Sequence, residues 1–226
     1  MPAVAIKTDQ EVQQDVFREF RWDSRVDQTE VGVEVDEGIV TLTGTVDSYA
    51  KKLAAREAAH RVIGVLDVAD DIQVKEPGSP EKKTDTEIAR AVRSSLEWDA
   101  LVPHEKIRST VADGFVTLDG EVTTLREKED AEAALRNLSG IRGVRNRVFV
   151  TAVKADPVKL KESIEEALER RAEREAERIR VGVEEGTVTL EGEVRTWPEK
   201  QAILGAVSHA PGVREVRDKL TVNPWD

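Results

Sequence analysis

Glu37-Gly-Ile-Val-Thr-Leu-Thr-Gly-Thr-Val46 is stated three times in this chain. It returns as Asp113-Gly-Phe-Val-Thr-Leu-Asp-Gly-Glu-Val122 and as Glu185-Gly-Thr-Val-Thr-Leu-Glu-Gly-Glu-Val194. Valine and leucine alternate with polar residues, the pattern of a strand with one buried face. The first glycine of each copy (Gly38, Gly114, Gly186) follows an acidic residue and marks a hairpin corner, where glycine tolerates positive φ. The second (Gly44, Gly120, Gly192) shares the parity of the buried residues. A missing side chain on a buried face predicts that a helix crosses closely there.

Working outward, Thr8 to Val74 maps onto Thr84 to Val150 at a constant offset of 76, and that segment onto Asp156 to Val222 at a constant offset of 72. No gap falls inside any unit, so the chain reads as three domains, 8–74, 84–150 and 156–222. The first linker, Lys75-Glu-Pro-Gly-Ser-Pro-Glu-Lys-Lys83, is rich in Pro, Gly and charge, which predicts a flexible joint and an independent first unit. The shorter Thr151-Ala-Val-Lys-Ala155 should hold units two and three closer together.

Each unit opens with a capped helix. Thr8 with Glu11 and Thr84 with Glu87 fit capping boxes, and Asp156 precedes Pro157. Apolar residues follow at Val12, Val16, Phe20; Ile88, Val92, Leu96; and Leu160, Ile164, Leu168, one helical face in each case. Arg170-Arg171 and the Ala-Glu-Arg run after them should prolong the helix of unit three. A hairpin comes next, and then a second helix started by Ser48, Thr124 and Thr196. Its inner stripe is Ala55, Ala58, Ala59, Val62; Ala131, Ala134, Leu135, Leu138; and Ile203, Ala206, Val207, Ala210. Gly64, Gly140 and Gly212 end it before a last strand. The order α-β-β-α-β with a right-handed crossover predicts an α+β fold. Each unit is a two-layer sandwich, two helices on one face of a three-stranded mixed sheet.

The bulk composition bounds function. Charged residues make up 35% and aromatics 4%, so each core is small and aliphatic. There is no cysteine, which excludes disulfides and thiolate chemistry. The net charge of −11 argues against nucleic acid as a partner. The charge is uneven: 15 acidic and 7 basic residues in 8–74, 12 and 10 in 84–150, 15 and 12 in 156–222. No apolar run is long enough for a transmembrane segment or reads as a signal peptide. That makes the cytoplasm the expected location, or the periplasm if a longer precursor exists.

The units also end alike, in Gly64-Val-Leu-Asp-Val-Ala-Asp-Asp-Ile-Gln-Val74, Gly140-Ile-Arg-Gly-Val-Arg-Asn-Arg-Val-Phe-Val150 and Gly212-Val-Arg-Glu-Val-Arg-Asp-Lys-Leu-Thr-Val222. With the strand phrase, these endings resemble the BON domain, the module of bacterial osmotically inducible periplasmic proteins and of several envelope lipoproteins. The resemblance covers nearly the whole chain. It implies an osmotic or envelope stress protein with phospholipid association, or chaperone-like behaviour toward client proteins. It implies no catalysis and no cofactor. A soluble multivalent scaffold is the alternative the repetition itself offers.

Candidate side chains are few. His60, His104 and His209 fall at non-equivalent repeat positions and read as surface or loop residues, not as metal ligands or catalytic bases. Asp70, Asn146 and Asp218 recur at an inward position of the last strand, where a short polar side chain serves local backbone groups. On the sheet face away from the helices, unit two places Arg108, Arg145 and Arg147, and unit three Arg180, Arg217 and Lys219. Unit one has Gly32, Ala69 and Asp71 there. Such a ladder is either solvated pairing with Asp119, Glu121, Glu191 and Glu193 or a platform for anions, phospholipid headgroups or a neighbouring unit. Trp22, Trp98, Trp197 and Trp225 stand at element ends or in the tail. Such tryptophans are partly buried packing or a rim that meets an apolar partner.

Overall fold

The computed structural model describes residues 7–75, 83–151, 156–171 and 179–224, without the side chains of 169–171. The linker positions 76–82 and 152–155, the expected helix extension over 172–178, and Trp225 lie outside the described residues.

Unit one runs α1 (Asp9–Trp22), β1 (Val31–Asp36), β2 (Ile39–Val46), α2 (Tyr49–His60), β3 (Asp67–Asp70) and β4 (Gln73–Val74). Unit two repeats it as α3 (Asp85–Trp98), β5 (Ile107–Ala112), β6 (Phe115–Val122), α4 (Leu125–Ala133), β7 (Gly143–Asn146) and β8 (Phe149–Val150). Unit three is α5 (Pro157–Arg171), β9 (Ile179–Glu184), β10 (Thr187–Val194), α6 (Trp197–Ser208) and β11 (Glu215–Val222). In every unit the first two strands pair antiparallel and the last runs parallel to the middle one, as the crossover requires. The last strand of units one and two breaks briefly, but β4 and β8 resume the same register against β2 and β6.

Local chemistry starts each element. Thr8, Thr84 and Thr124 form full capping boxes with Glu11, Glu87 and Glu127. Thr196 accepts from the Glu199 N–H, while the Glu199 carboxylate takes the N–H of Arg195. The apolar stripes of the first helices and of the middle strands meet in three separate cores, each built around residues such as Val40 and Leu42, Val116 and Leu118, or Val188 and Leu190. The hairpin corners need positive φ at two successive residues, the acidic one as well as the glycine: Glu37 has φ 50° and Gly38 76°, Asp113 51° and Gly114 76°. In units one and two the first-turn aspartate of the opening helix holds this corner, a place that Pro157 takes in unit three. Asp9 accepts from the N–H groups of Glu37 and Gly38 at 3.0 and 2.9 Å, and Asp85 does the same for Asp113 and Gly114 at 2.9 Å each.

The strand glycines have a different cause from the one expected. Gly44, Gly120 and Gly192 have φ of 121°, 151° and 150°, and none is buried under a helix. A Cβ on Gly44 would lie 2.1 Å from the carbonyl oxygen of Glu30, and one on Gly120 2.2 Å from that of Lys106. The crowding group is the backbone that leads into the first strand. In unit one its carbonyl accepts the Thr45 N–H at 3.2 Å just past the glycine. Glycine is needed because the backbone entering the first strand approaches closely here, not because a helix crosses.

Asp70, Asn146 and Asp218 do local work. Their side-chain oxygens accept the N–H two residues on, of Ile72, Val148 and Leu220, at 3.2, 3.2 and 2.9 Å. Lys52 and Lys200, at matching places on α2 and α6, reach Asp70 and Asp218 at 3.4 and 2.8 Å. In unit two Asn146 donates instead to the Lys128 carbonyl at 2.8 Å.

Unit one is not independent. The second helices touch one another head to tail in a closed cycle. Tyr49 and Leu53 of α2 are buried within the core of unit two, and Glu57 pairs with Arg136. Leu125 of α4 packs on the core of unit three, and Glu129 accepts from Ser208 at 3.3 Å. Trp197 of α6 returns to unit one. Its ring lies 3.8 Å from that of His60, and its Nε1 donates to the Leu66 carbonyl at 3.2 Å. Under the offsets of 76 and 72, Tyr49, Leu125 and Trp197 are one position, and His60, Arg136 and Ser208 are another. The same heterologous contact is therefore made three times and closes.

Two glycine substitutions should act in opposite directions. Gly120→Ala combines positive φ with a carbonyl clash and should cost about 1–3 kcal/mol in urea unfolding. Gly205→Ala in α6 meets nothing within 4 Å and should stabilise by about 0.5–1 kcal/mol.

Candidate functional site on the open sheet faces

The face of each sheet turned from its helices is where the units differ. In unit two, Arg108 of β5 stands opposite Asp119 of β6, and Arg147 on the far side reaches Asp119 at 3.4 Å. One row up, Arg145 lies beside Thr117. Among the described residues Arg108 and Arg145 make no ion pair, and of the two carboxylates on this face, Asp119 and Glu121, only Asp119 is paired, with Arg147. Arg108 stands on one side of β6 and Arg145 and Arg147 on the other, two strand spacings or about 10 Å apart at the backbone.

Two phenylalanines share this face, and they were not singled out from the sequence. Phe115 is 53% exposed and Phe149 is 74% exposed. Gly143 leaves room for the Phe115 ring, and the Arg142 guanidinium lies 5.2 Å from that ring's centroid. A shallow hollow beside Phe149 is lined by Lys106, Arg108, Asp119 and Glu121. The alternation that marked Val116 and Leu118 as buried also puts Phe115 on the outer face, so the signal was present in its parity.

Unit three carries its cations on a separate sheet and neutralises more of them. Lys219 holds Glu191 at 2.6 Å, and Arg217 lies 3.7 Å from Glu215. Arg180 faces Glu191 across the ladder without an ion pair among the described residues. The Lys219 hydrogen bond, its charge and that of Arg180 hold the Glu191 carboxyl below its ordinary value. Thr187 and Thr221 stand where unit two has phenylalanines. Among the described residues no ion pair or hydrogen bond joins the two trios, so they form two sites and not one. Unit one has Asp67 and Asp71 exposed on this face and no cation in the equivalent rows.

The other expected residues are placed as follows. Trp22 and Trp98 are not packed. They are 83% and 88% exposed at matching ends of α1 and α3. Trp197 lies in the joint between units three and one. His60 is in that joint too, and not on a loop. Burial pushes its imidazole down to about 4. His209 lies 2.6 Å from Arg126 in the joint between units two and three. No group of acidic or histidine side chains suited to a metal occurs among the described residues. No described helix is long and apolar enough to cross a membrane.

The BON domain family model matches residues 8–76, 84–152 and 156–224. The chain belongs to the BON domain family. Osmotically-inducible protein Y of Escherichia coli (strain K12) is 29% identical over 124 residues, 54% of this chain and 62% of that protein. The match thus takes in less than two thirds of the relative. Two solved chains of CdsD, a structural protein of the type III secretion system of Chlamydia trachomatis, align over 93% of this BON protein. They cover 91% and 96% of their own lengths, at 12% and 13% identity and a TM-score of 0.27.

The geometry of the unit-three ladder is checked by carboxyl NMR. The Glu191 midpoint should lie below 4.5, and Lys219→Ser should move it up.

Proposed function

We propose that this protein is a non-enzymatic, three-module BON protein of the osmotic or envelope stress response, and that it associates weakly with phospholipid headgroups through unit two. The observation that carries this reading is the open face of β5, β6 and β7. It joins Arg108, Arg145 and Arg147, with a single paired carboxylate, to the exposed rings of Phe115 and Phe149. Guanidinium groups suit a phosphodiester, and exposed rings suit the boundary between headgroup and acyl chain. Unit three, without rings and with Lys219 and Arg217 each near a carboxylate, contributes less. The net charge of −11 opposes anionic surfaces at long range, so binding is salt-sensitive. The similarity to osmotically-inducible protein Y supports the stress assignment.

A second reading rests on Trp22 and Trp98. A bulky ring exposed at the same place in two units fits a soluble scaffold that grips apolar segments of client proteins multivalently.

Co-sedimentation with phosphatidylglycerol vesicles at low and physiological salt distinguishes the two. Wild type should bind at low salt. Arg145→Ser with Arg147→Ser should weaken binding roughly ten- to thirty-fold, at about 1 kcal/mol per cation near an anionic surface. The same change at Arg217 and Lys219 should matter less, and Asp119→Ser should tighten binding. Absence of wild-type binding at low salt would sink the headgroup reading. Suppression of client aggregation, lost in Trp22→Ser with Trp98→Ser, would then establish the scaffold.

A further inference from the structure

The three head-to-tail joints occupy equivalent positions, but their chemistry differs. The first is an apolar plug with an ion pair, Glu57 to Arg136. The second sets Glu129 against Ser208. The third lays Trp197 on His60, and it joins units that are not consecutive in the chain. We infer that the Trp197–His60 joint is an acid-labile latch, and that protonation of His60 opens the ring between units three and one while leaving each unit folded.

The geometry around His60 carries the argument. Its Nδ1 is closed off from solvent and has no hydrogen-bond partner. The Trp197 ring stands 3.8 Å away, tilted by 42°, and is pinned by its own bond to the Leu66 carbonyl. A proton on Nδ1 would create a charged N–H with nothing to accept it. Arg56 of α2 and Lys200 of α6 face the imidazole and add repulsion, whereas Asp67 of β3 opposes it. Lys200 cannot easily withdraw, because Asp218 and the Leu220 carbonyl hold it at 2.8 and 2.7 Å. The proton is relieved most directly by parting the two rings, which lets water reach Nδ1.

The direction with pH follows. The closed joint holds His60 down to about 4 against an ordinary value of 6.5, so its contribution is complete above 6.5 and is lost as pH falls toward 4. Closure weakens by about tenfold per pH unit across that window. The second joint responds in the opposite sense. Burial raises the Glu129 carboxyl, so acidification neutralises it and removes a penalty there. Acid therefore acts against the third joint and in favour of the second, while the buried plug of Tyr49 and Leu53 in the first carries no charge in this range.

The full chain has no cysteine, so spin-label pairs can be placed cleanly. Labels on exposed Thr43→Cys and Thr221→Cys report on units one and three, and labels on Thr43→Cys and Thr110→Cys report on units one and two. Between pH 7.5 and 4.5 the first pair should change from one narrow distance to a broad, longer distribution. The second pair and the far-ultraviolet circular dichroism should stay constant. His60→Phe keeps a ring for Trp197 and should hold the first pair closed at pH 4.5. His60→Arg should open it at pH 7.5. A first-pair distance independent of pH in wild type would overturn the latch, as would His60→Phe opening at the same pH as wild type. Parallel broadening of the second pair would also overturn it, by showing general loosening.

Discussion

A three-stranded sheet can cover only one side of a helix laid on it, and this limit shapes the whole molecule. The second helix of unit one buries Ala55, Ala58 and Ala59 on its own sheet, yet it carries Tyr49, Leu53 and Ala54 on other sides, and these are buried too. Tyr49 and Leu53 find their cover in the next unit. Units of this size, poor in aromatic residues, have little apolar surface to spare for stability. Passing one helix face to a neighbour adds buried area without enlarging any core. Because the contact is heterologous and its rotation closes after three steps, the ring leaves neither partner surface unmatched.

With the helix layer committed to core and ring, variation collects on the outward sheet face. The skeleton there is constant in register, and the side chains on it diverge from an acidic surface in unit one to a cationic, aromatic one in unit two. One scaffold thus presents three unlike surfaces at fixed orientations. A headgroup-binding role is in practice the role of one of these faces.

Most of the module was legible because its signals are local. Capping pairs such as Thr8 with Glu11, alternation at Val40 and Leu42, and the helix-ending glycines each depend on a few consecutive residues. The strand glycines were located but misexplained. Parity places Gly44 on the inner face, yet the group that excludes a Cβ is a carbonyl fourteen residues earlier, at Glu30, and no pattern within the strand encodes it. Asp9 and Asp85 look like ordinary first-turn acids, and their reach to the hairpin corner appears only in three dimensions. The ring was invisible for a related reason. Linker composition suggested freedom for unit one, whereas position is set by surfaces far apart in sequence, such as Trp197 and Leu66. Phe115 could have been noticed, since the alternation that buries its neighbours also turns its ring to the open face.

Fusion of the three units changes what a single substitution can do. In a trimer of identical chains, any residue in the contact would appear at all three interfaces together, so each could drift only in step with the others. Here Glu57 with Arg136, Glu129 with Ser208, and Trp197 with His60 occupy related places and have diverged freely. A mutation in this chain edits one interface and spares two, so an architecture of threefold form can acquire a single weak seam while the rest of its circumference stays shut.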